Sequence, residues 1–418
     1  MRCSVDNTDI LMLGLGLQAP WNLVGQNLDT EKSPHELHLQ VAAERGSLYA
    51  CPECGKACPA HDFKEQTWRH LNFFQHHCFI TAKLPRINCP EHKVKQVNVP
   101  WARKGSRFTL LFEQAALTLV REMPVNAAAR FMNVTDKRLW RVIQHYVGQA
   151  LTKLDLSALQ AFGFDETASK RGHNYVTVFI DMNRKSLPVI FATPGKGKQT
   201  VVDFKDFINK HGGESEKVLE VVCDMSPAFL SAVEDEFPQA NVTVDWFHVV
   251  QLFTRAVDQV RKEERRHYDM PKGLRWAVLK KADGPMTAKQ EAALVELDQY
   301  DFDTARAWRV KEKLRWIREA KSPNAARWRI TNFIKFTLAE IGDIKALEPV
   351  RKALGTLEKH AERILQRWSS TYTNARMEGL NSLFQAARAR ARGYRNTESF
   401  ITMIYMIASP AAEILKSI

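Results

Sequence analysis

Phe162-Gly-Phe-Asp165-Glu-Thr and, further along, Val221-Val-Cys-Asp224-Met-Ser-Pro are the two stretches from which the fold can be read. Each is a short apolar run that stops at an aspartate, the pattern of a buried strand meeting a loop. The runs predict strands over 161–164 and 218–223, and similar runs predict strands over 175–181, 188–192 and 242–244. Helical spacing over 200–210 and 229–237 places helices between them. Three strands, a helix, a strand, a helix and a strand predict a mixed α/β sheet. On this reading Asp165 and Asp224 each end a strand, at the lip of the sheet where sites in α/β folds usually form.

The rest of the chain is organised around that sheet. Its 418 residues suit several domains. Residues 249–370 are helical in pattern and rich in Arg, Lys and Trp, and 373–418 are helical again. Residues 1–47 read as a leader with one short helix around 9–17. The charge is +13 and the sequence pI about 9.4, which points to a polyanionic partner. A hydrophobic share of 45% excludes disorder as the dominant state. The longest apolar runs, such as 10–17, fall far short of the roughly 20 residues of a spanning helix. Asp6 and Asp9 argue against a secretory signal.

Five of the seven cysteines fall between Cys51 and Cys89 inclusive, which argues for metal rather than a disulfide framework. Cys51-Pro-Glu-Cys54 and Cys89-Pro-Glu-His92 are two knuckles with the same two-residue spacer. Such pairs close a tetrahedral zinc site, structural because all four positions are protein ligands. Gly55 fits the tight turn after the first knuckle. Cys58, His61 and Cys78 are substitute ligands, and the alternative is a set of reduced thiols without metal. Cys223 reads as a buried strand thiol.

Residues 123–147 read as a short helix, a turn at Met132-Asn133-Val134, and a second helix that Thr135 can cap. Ala127, Ala128 and Phe131 form the first apolar stripe. Leu139, Trp140, Ile143 and Val147 form the second, with Lys137, Arg138 and Arg141 on another face. That is the arrangement of a helix-turn-helix. Two packed helices with a solvated basic face would give the same pattern. Later, residues 306–335 carry ten Lys/Arg against two Glu, with Trp308, Trp316 and Trp328 expected in the core.

Glu378 supplies a third carboxylate, on a helical stretch where Asn374, Glu378 and Asn381 share a face. Two aspartates and a glutamate can hold two Mg2+ ions for in-line phosphoryl transfer. Here the chain resembles a bacterial insertion-sequence transposase of the ISL-three type, a DDE family. The likeness runs through the knuckles and the helix-turn-helix, then Gly163-Phe-Asp165-Glu-Thr-Ala-Ser-Lys-Arg-Gly and Cys223-Asp224-Met-Ser-Pro-Ala-Phe. It continues through Val244-Asp245-Trp-Phe-His248-Val-Val and Thr373-Asn-Ala-Arg376-Met-Glu378-Gly-Leu-Asn381, and closes on Ala391-Arg392-Gly393-Tyr394-Arg395-Asn396. His92 is a departure, standing where many relatives would offer a second Cys-x-x-Cys.

The resemblance implies an α/β, RNase H-like catalytic core interrupted by an all-α insertion. A small zinc-binding domain and a helix-turn-helix domain precede it. The corresponding ranges are 1–47 leader, 48–98 zinc-binding, 105–150 helix-turn-helix, 160–254 with 371–418 core, and 255–370 insertion. It implies Asp165, Asp224 and Glu378 as the catalytic triad. Asp245 and His248, with Asn374 and Asn381, are expected as support. Lys137, Arg138, Arg141, Arg388, Arg392 and Arg395 are expected on DNA. The cofactors expected are two Mg2+ ions, with Mn2+ as a substitute, and one structural Zn2+. The partners expected are double-stranded DNA, as element ends and target, and further copies of the chain, at least a dimer on DNA. No membrane is expected, and the location expected is the bacterial cytoplasm on the nucleoid. The rival readings are a catalytically silent sequence-specific regulator and a zinc-stabilised nuclease without strand transfer.

Overall fold

The computed structural model describes residues 11–12, 14–17, 19–170, 172, 174–280, 285–299, 302–370, 372 and 375–410. The chain divides into two compact units, one up to Gly148 and one from Gln149.

The first unit holds a six-stranded sheet made of β1 (Trp21–Asp29), β2 (Glu36–Ala43), β3 (Leu48–Ala50), β4 (Ala57–Phe73), β5 (His76–Cys89) and β6 (Lys93–Gln96). β2 pairs parallel with β5, and β4 antiparallel with β5. One expectation changes here. The stretch read as a leader supplies two strands, while Leu11, Met12, Gly14 and Leu15 are helical and Asp9 lies outside the described residues. The strands around the cysteines are long, at 17 residues for β4 and 14 for β5. Trp68, Ile80, Ala82, Leu84 and Ile87 all face one core with Trp21 and Trp101, while Lys83, Arg86 and Asn88 of β5 are exposed.

Three helices complete the unit: α1 (Leu110–Glu122), α2 (Val125–Phe131) and α3 (Asp136–Thr152). Thr109 caps α1, its hydroxyl accepting from Phe112 N–H. Pro124 starts α2, where its missing N–H costs nothing. Asn133 takes φ 52° in the turn to α3, a conformation asparagine tolerates better than most residues. The buried stripe of α2 is Val125, Ala128, Ala129 and Met132, whereas Phe131, expected to pack, is 75% exposed. It lies just beyond the face that docks. Glu113 ties the unit together from a fully buried position. It accepts from Arg103 Nε at 2.8 Å, Ser106 Oγ at 2.7 Å and Tyr146 Oη at 2.7 Å, which together satisfy a buried charge.

The second unit is built on a five-stranded sheet of order β11-β10-β7-β8-β9. Its strands are β7 (Ala161–Lys170), β8 (Asn174–Asp181), β9 (Val189–Pro194), β10 (Glu220–Cys223) and β11 (Asn241–Val244). The first three form an antiparallel meander, and β10 and β11 run parallel to β7. The intervening helices are α4 (Lys198–Lys210) and α5 (Pro227–Glu236), as expected. The difference is β7, which runs on well past Phe164.

Period-two alternation divides β7 between two faces. Phe162 and Phe164 pack on Phe204, Phe229 and Phe237 from α4 and α5, all fully buried. Burying each such ring contributes roughly 1.5–3 kcal/mol. Gly163 and Asp165 point the other way. A Cβ on Gly163 would stand 2.9 Å from Met182 Sδ, so a larger residue there would require the Met182 side chain to move.

From Trp246 the described chain is helical. It comprises α6 (Trp246–Glu264), α7 (Leu274–Val278), α8 (Ala288–Gln299), α9 (Asp303–Arg318), α10 (Pro323–Ile341), α11 (Glu348–Lys359) and α12 (Ala361–Leu365). Two more helices return to the sheet, α13 (Ala375–Arg390) and α14 (Thr397–Ala408). Residues 373, 374 and 411–418 of the expected final helical stretch lie outside the described residues. Trp308 is half-buried, but Trp316 and Trp328 are exposed, contrary to the expectation that they pack in the core. They stack edge-on at 5.7 Å, and the Arg329 guanidinium lies over Trp316. No described helix is long and apolar enough to cross a membrane.

Candidate functional site

The ligand atoms of Cys51, Cys54, Cys89 and His92 all lie within 4.8 Å of one another. Cys54 Sγ is 3.7 Å from Cys89 Sγ, and His92 Nδ1 is 3.7 Å from Cys89 Sγ and 3.9 Å from Cys51 Sγ. Zn–S bonds of about 2.3 Å in a tetrahedron separate the sulfurs by about 3.8 Å, so the residues fit zinc. Gly55, at φ 71°, closes the knuckle by donating its N–H to Cys51 O. Glu53 stands 3.6 Å from His92 Nε2 and 2.6 Å from Lys95. A carboxylate on the far ring nitrogen fixes the tautomer that leaves Nδ1 free to ligate. Among the substitutes considered, Cys58 is buried beside the cluster but outside the set. His61 faces Asp62, and Cys78 is buried near Arg69, its thiol pushed up to about 11 by burial.

On α3, Lys137 and Arg141 are exposed. Arg138 is half-buried with its guanidinium 4.3 Å from the centre of the Phe108 ring, so that cation is engaged in packing.

In the second unit, strand register brings three aspartates into one row. Val222 pairs with Gly163 and Cys223 with Val244. Continuing those registers sets Asp224 level with both Asp165 and Asp245. Asp165 does not end its strand, as the sequence suggested; it pairs with Val178 in the middle of β7. The lip exists because the neighbouring β10 stops at Cys223. The row is electrostatically strained. Burial, joined by repulsion from Asp224, Glu166 and Asp245, pushes the Asp165 carboxyl up to about 7, against the Glu166 N–H that lowers it. Burial and Asp224 raise Glu166 as well. Sequence reading passed over Glu166, whose burial is set by the strand pairing and not by its own segment.

Asp224 Oδ1 accepts from Ser226 N–H at 2.8 Å, which holds the turn into α5. Asp245 caps α6 through Phe247 N–H, while its buried Oδ2 has no partner among the described residues. His248 lies half-buried in the first turn of α6, edge-on to Phe247.

α13 covers the carboxylate face of β7 along one stripe. Asn381 Nδ2 donates to Asp165 Oδ2 at 2.8 Å. Gln385 Nε2 donates to Thr167 Oγ1 and Ala168 O, and Arg388 donates to Ala168 O. Glu378 stands one turn before Asn381 on that helix. It borders a cavity of about 620 Å³ together with Asp245 and Ala375. Asn381 Oδ1 is buried without a partner among the described residues. Asn374 lies outside the described residues. Arg388, expected on DNA, is occupied by a backbone carbonyl of β7, whereas Arg392 and Arg395 are exposed beyond the helix end.

The donor set is all oxygen, which suits Mg2+. The unpartnered Asp245 oxygen and the raised Asp165 carboxyl mark excess negative charge that a divalent cation would relieve. Among the described residues, the cysteine–histidine cluster alone brings three or more ligand atoms within 4.8 Å of one another, so the carboxylates stand further apart than the zinc ligands.

Three family models match in chain order. A zinc-finger model of insertion-sequence transposases matches residues 48–92, and a helix-turn-helix model of transposase family ISL3 matches 97–147. A model described as transposase, of the same family, matches 162–404. The transposase for insertion sequence element IS1001 of Bordetella parapertussis is 25% identical over 364 residues, covering 85% of this chain and 87% of that protein. The transposase for IS1557 of Mycobacterium tuberculosis is 26% identical over 313 residues, covering 68% of this chain and 69% of that protein.

Proposed function

The chain belongs to the ISL3 family of transposases, and we propose that it binds the terminal inverted repeats of its own element and cleaves and joins DNA through Asp165, Asp224 and Glu378. The observation that carries this reading is the row of aspartates on adjacent parallel strands, faced by the helix that bears Glu378. The strand order, an antiparallel meander with two further strands parallel to its first, supports an RNase H-like core. Helices α6 to α12, between β11 and the Glu378 helix, support the insertion.

Asp165, Asp224 and Glu378 would hold two Mg2+ ions, or Mn2+ in their place. Such ions, when bound, neutralise the attacking and leaving oxygens of an in-line phosphoryl displacement. The protein's own part is positioning. Asn381 Nδ2 and Glu166 N–H fix the rotamer of Asp165 by donating to its Oδ2 and Oδ1. Ser226 N–H does the same for Asp224. Asp245 adds negative charge in the same row and anchors α6, with His248 one turn along. The reaction is hydrolysis of a phosphodiester at each element end, followed by attack of the freed 3′-hydroxyl on target DNA. α3 supplies Lys137 and Arg141 for the phosphates of the terminal repeat, and the zinc ribbon holds its own loops rigid. Two ends must be joined in one reaction, so the active species is at least a dimer, working on the nucleoid in the cytoplasm.

The test is cleavage of a plasmid carrying the DNA that flanks this gene, with Mg2+, by wild type and Asp224→Asn. Breaks at the element ends that vanish in the variant support the reading. Tight specific binding without breaks from either protein would favour a DNA-binding regulator. Cleaved ends without joined products would favour a nuclease.

A further inference from the structure

Beside the carboxylate row, the cavity of about 620 Å³ carries five cations on its walls: Lys280, Lys311, Arg315, Arg318 and Arg367. Three of them have partners. Lys311 Nζ donates to Val278 O and Lys280 O at 2.8 Å each and pairs with Glu312. Lys280 donates to Gln290 Oε1 at 3.0 Å, and Arg315 pairs with Glu319 at 2.8 Å. Arg318 and Arg367 have no ion pair and no side-chain hydrogen bond among the described residues.

These two guanidiniums repel each other. Arg318 is the last residue of α9 and exposed, and Arg367 is half-buried in the 3-10 turn Gln366–Trp368. Burial and the charge of Arg318 both disfavour the charged form of Arg367, and only the field of Asp245 offsets them. A pair of like charges facing one cavity is costly to keep without an anion. Two planar donor forks lining one cavity suit the oxygens of a phosphodiester. The cavity lies in the size range of small-ligand sites, roughly 300–1,000 Å³, which suits a nucleotide of a single strand rather than a duplex. The acid edge of the same cavity, Asp245 and Glu378, would repel a phosphate and so confine it to the arginine side.

We propose that Arg318 and Arg367 clamp a phosphodiester of a single DNA strand as it enters the carboxylate site. The inference rests on the reading of that site as the DNA-cleaving centre, and it names the groups that hold the strand there. Nothing in the sequence singles the pair out, since the two residues lie far apart in the chain and each is one of many basic residues.

The test is fluorescence anisotropy of a labelled single-stranded oligonucleotide, and of the duplex of the same sequence, titrated with salt. The proteins are the full chain and its Arg318→Ala/Arg367→Ala double variant, each checked for an unchanged melting temperature. We expect the variant to bind the single strand at least tenfold more weakly. Its log–log salt slope should be smaller by about 0.7, the figure for one phosphate contact on a single strand. Duplex affinity should change little. Arg318→Lys/Arg367→Lys should keep the salt slope but recover only part of the affinity, and it serves as the folded comparison if the alanine variant melts early. Equal single-strand affinity and slope in variant and wild type would overturn the proposal. So would an equal loss on both DNAs, which indicates general charge. Displacement of the oligonucleotide by inorganic phosphate at matching phosphate concentration would assign the pair to a free anion instead, and also overturns it. The readout needs no cleavage, so a failure of the DNA-cutting reading would appear separately, as absence of nicking by wild type.

Discussion

Asp165→Asn should make the Mg2+-free protein more stable at neutral pH while abolishing cleavage. The carboxyl sits at about 7 in the folded chain against 3.8 for the unfolded reference, so the folded state holds its proton more tightly. Stability from this group is therefore fully present below the unfolded pKa. It falls as pH rises from about 4 to about 7 and stays low above that. Three units at roughly 1.4 kcal/mol each set a ceiling of roughly 4 kcal/mol. Residual exposure and relaxation cut that to about 2 kcal/mol. At about 2–4 °C per kcal/mol for a unit of this size, the variant should melt up to about 4–8 °C higher at pH 7.5. The amide oxygen can accept from only one of the two donors, Asn381 Nδ2 and Glu166 N–H, so the lost hydrogen bond offsets part of that gain. Mg2+ should raise the melting temperature of wild type more than that of the variant, because the variant has one carboxylate fewer to repel its neighbours and to hold the ion. The assay is thermal melting from pH 4 to 8 without chelator, which leaves the zinc in place, with and without millimolar Mg2+. A variant less stable than wild type at pH 7.5, or one that Mg2+ stabilises equally, would refute the account of the aspartate row.

Three other outcomes are expected. Asn381→Ala removes a charge-assisted hydrogen bond of about 1.5–3 kcal/mol to Asp165, so the acid limb of the cleavage pH profile should move up by about one to two units; an unmoved profile would separate Asn381 from the site. Cys51→Ser should lower bound zinc below one equivalent by elemental analysis and weaken terminal-repeat binding, whereas full zinc content would point to Cys58 as the replacing ligand. Arg141→Ala should reduce the salt slope of duplex binding by about 0.9 with little change in melting. Arg388→Ala should do the reverse, because its guanidinium is bound to Ala168 O; equal salt slopes for the two variants would contradict that division.

The apolar run that stops at Asp165 announced a strand, and Phe162 and Phe164 of that run lie in the core. The extent of β7 was harder to see, because Glu166, Thr167, Ser169 and Lys170 are too polar to read as a buried strand. They are strand residues because β8 pairs with them and α13 covers them through Gln385 and Arg388. Strands β1 and β2 went unread for a similar reason: only Trp21 of β1 is buried, and its pairing with β2 gives the strand its shape.

The sequence by itself singled out Cys51, Cys54, Cys89 and His92, the four residues that cluster in the fold, since each knuckle with its two-residue spacer carries its geometry locally. It also determined the order of zinc ribbon, helix-turn-helix and α/β sheet, because strand and helix periods and turn residues act over a few positions. Only the tertiary structure decided that Asp245 joins Asp165 and Asp224 in one row, since register between strands is a property of pairing and not of any one segment. It likewise decided which basic residues are occupied. Arg138 lies on Phe108 and Arg388 on a β7 carbonyl, while Arg318 and Arg367 both line the cavity beside the carboxylates. A positive charge looks the same in every position of a sequence; what it does is set by which groups the fold brings within hydrogen-bonding distance of it.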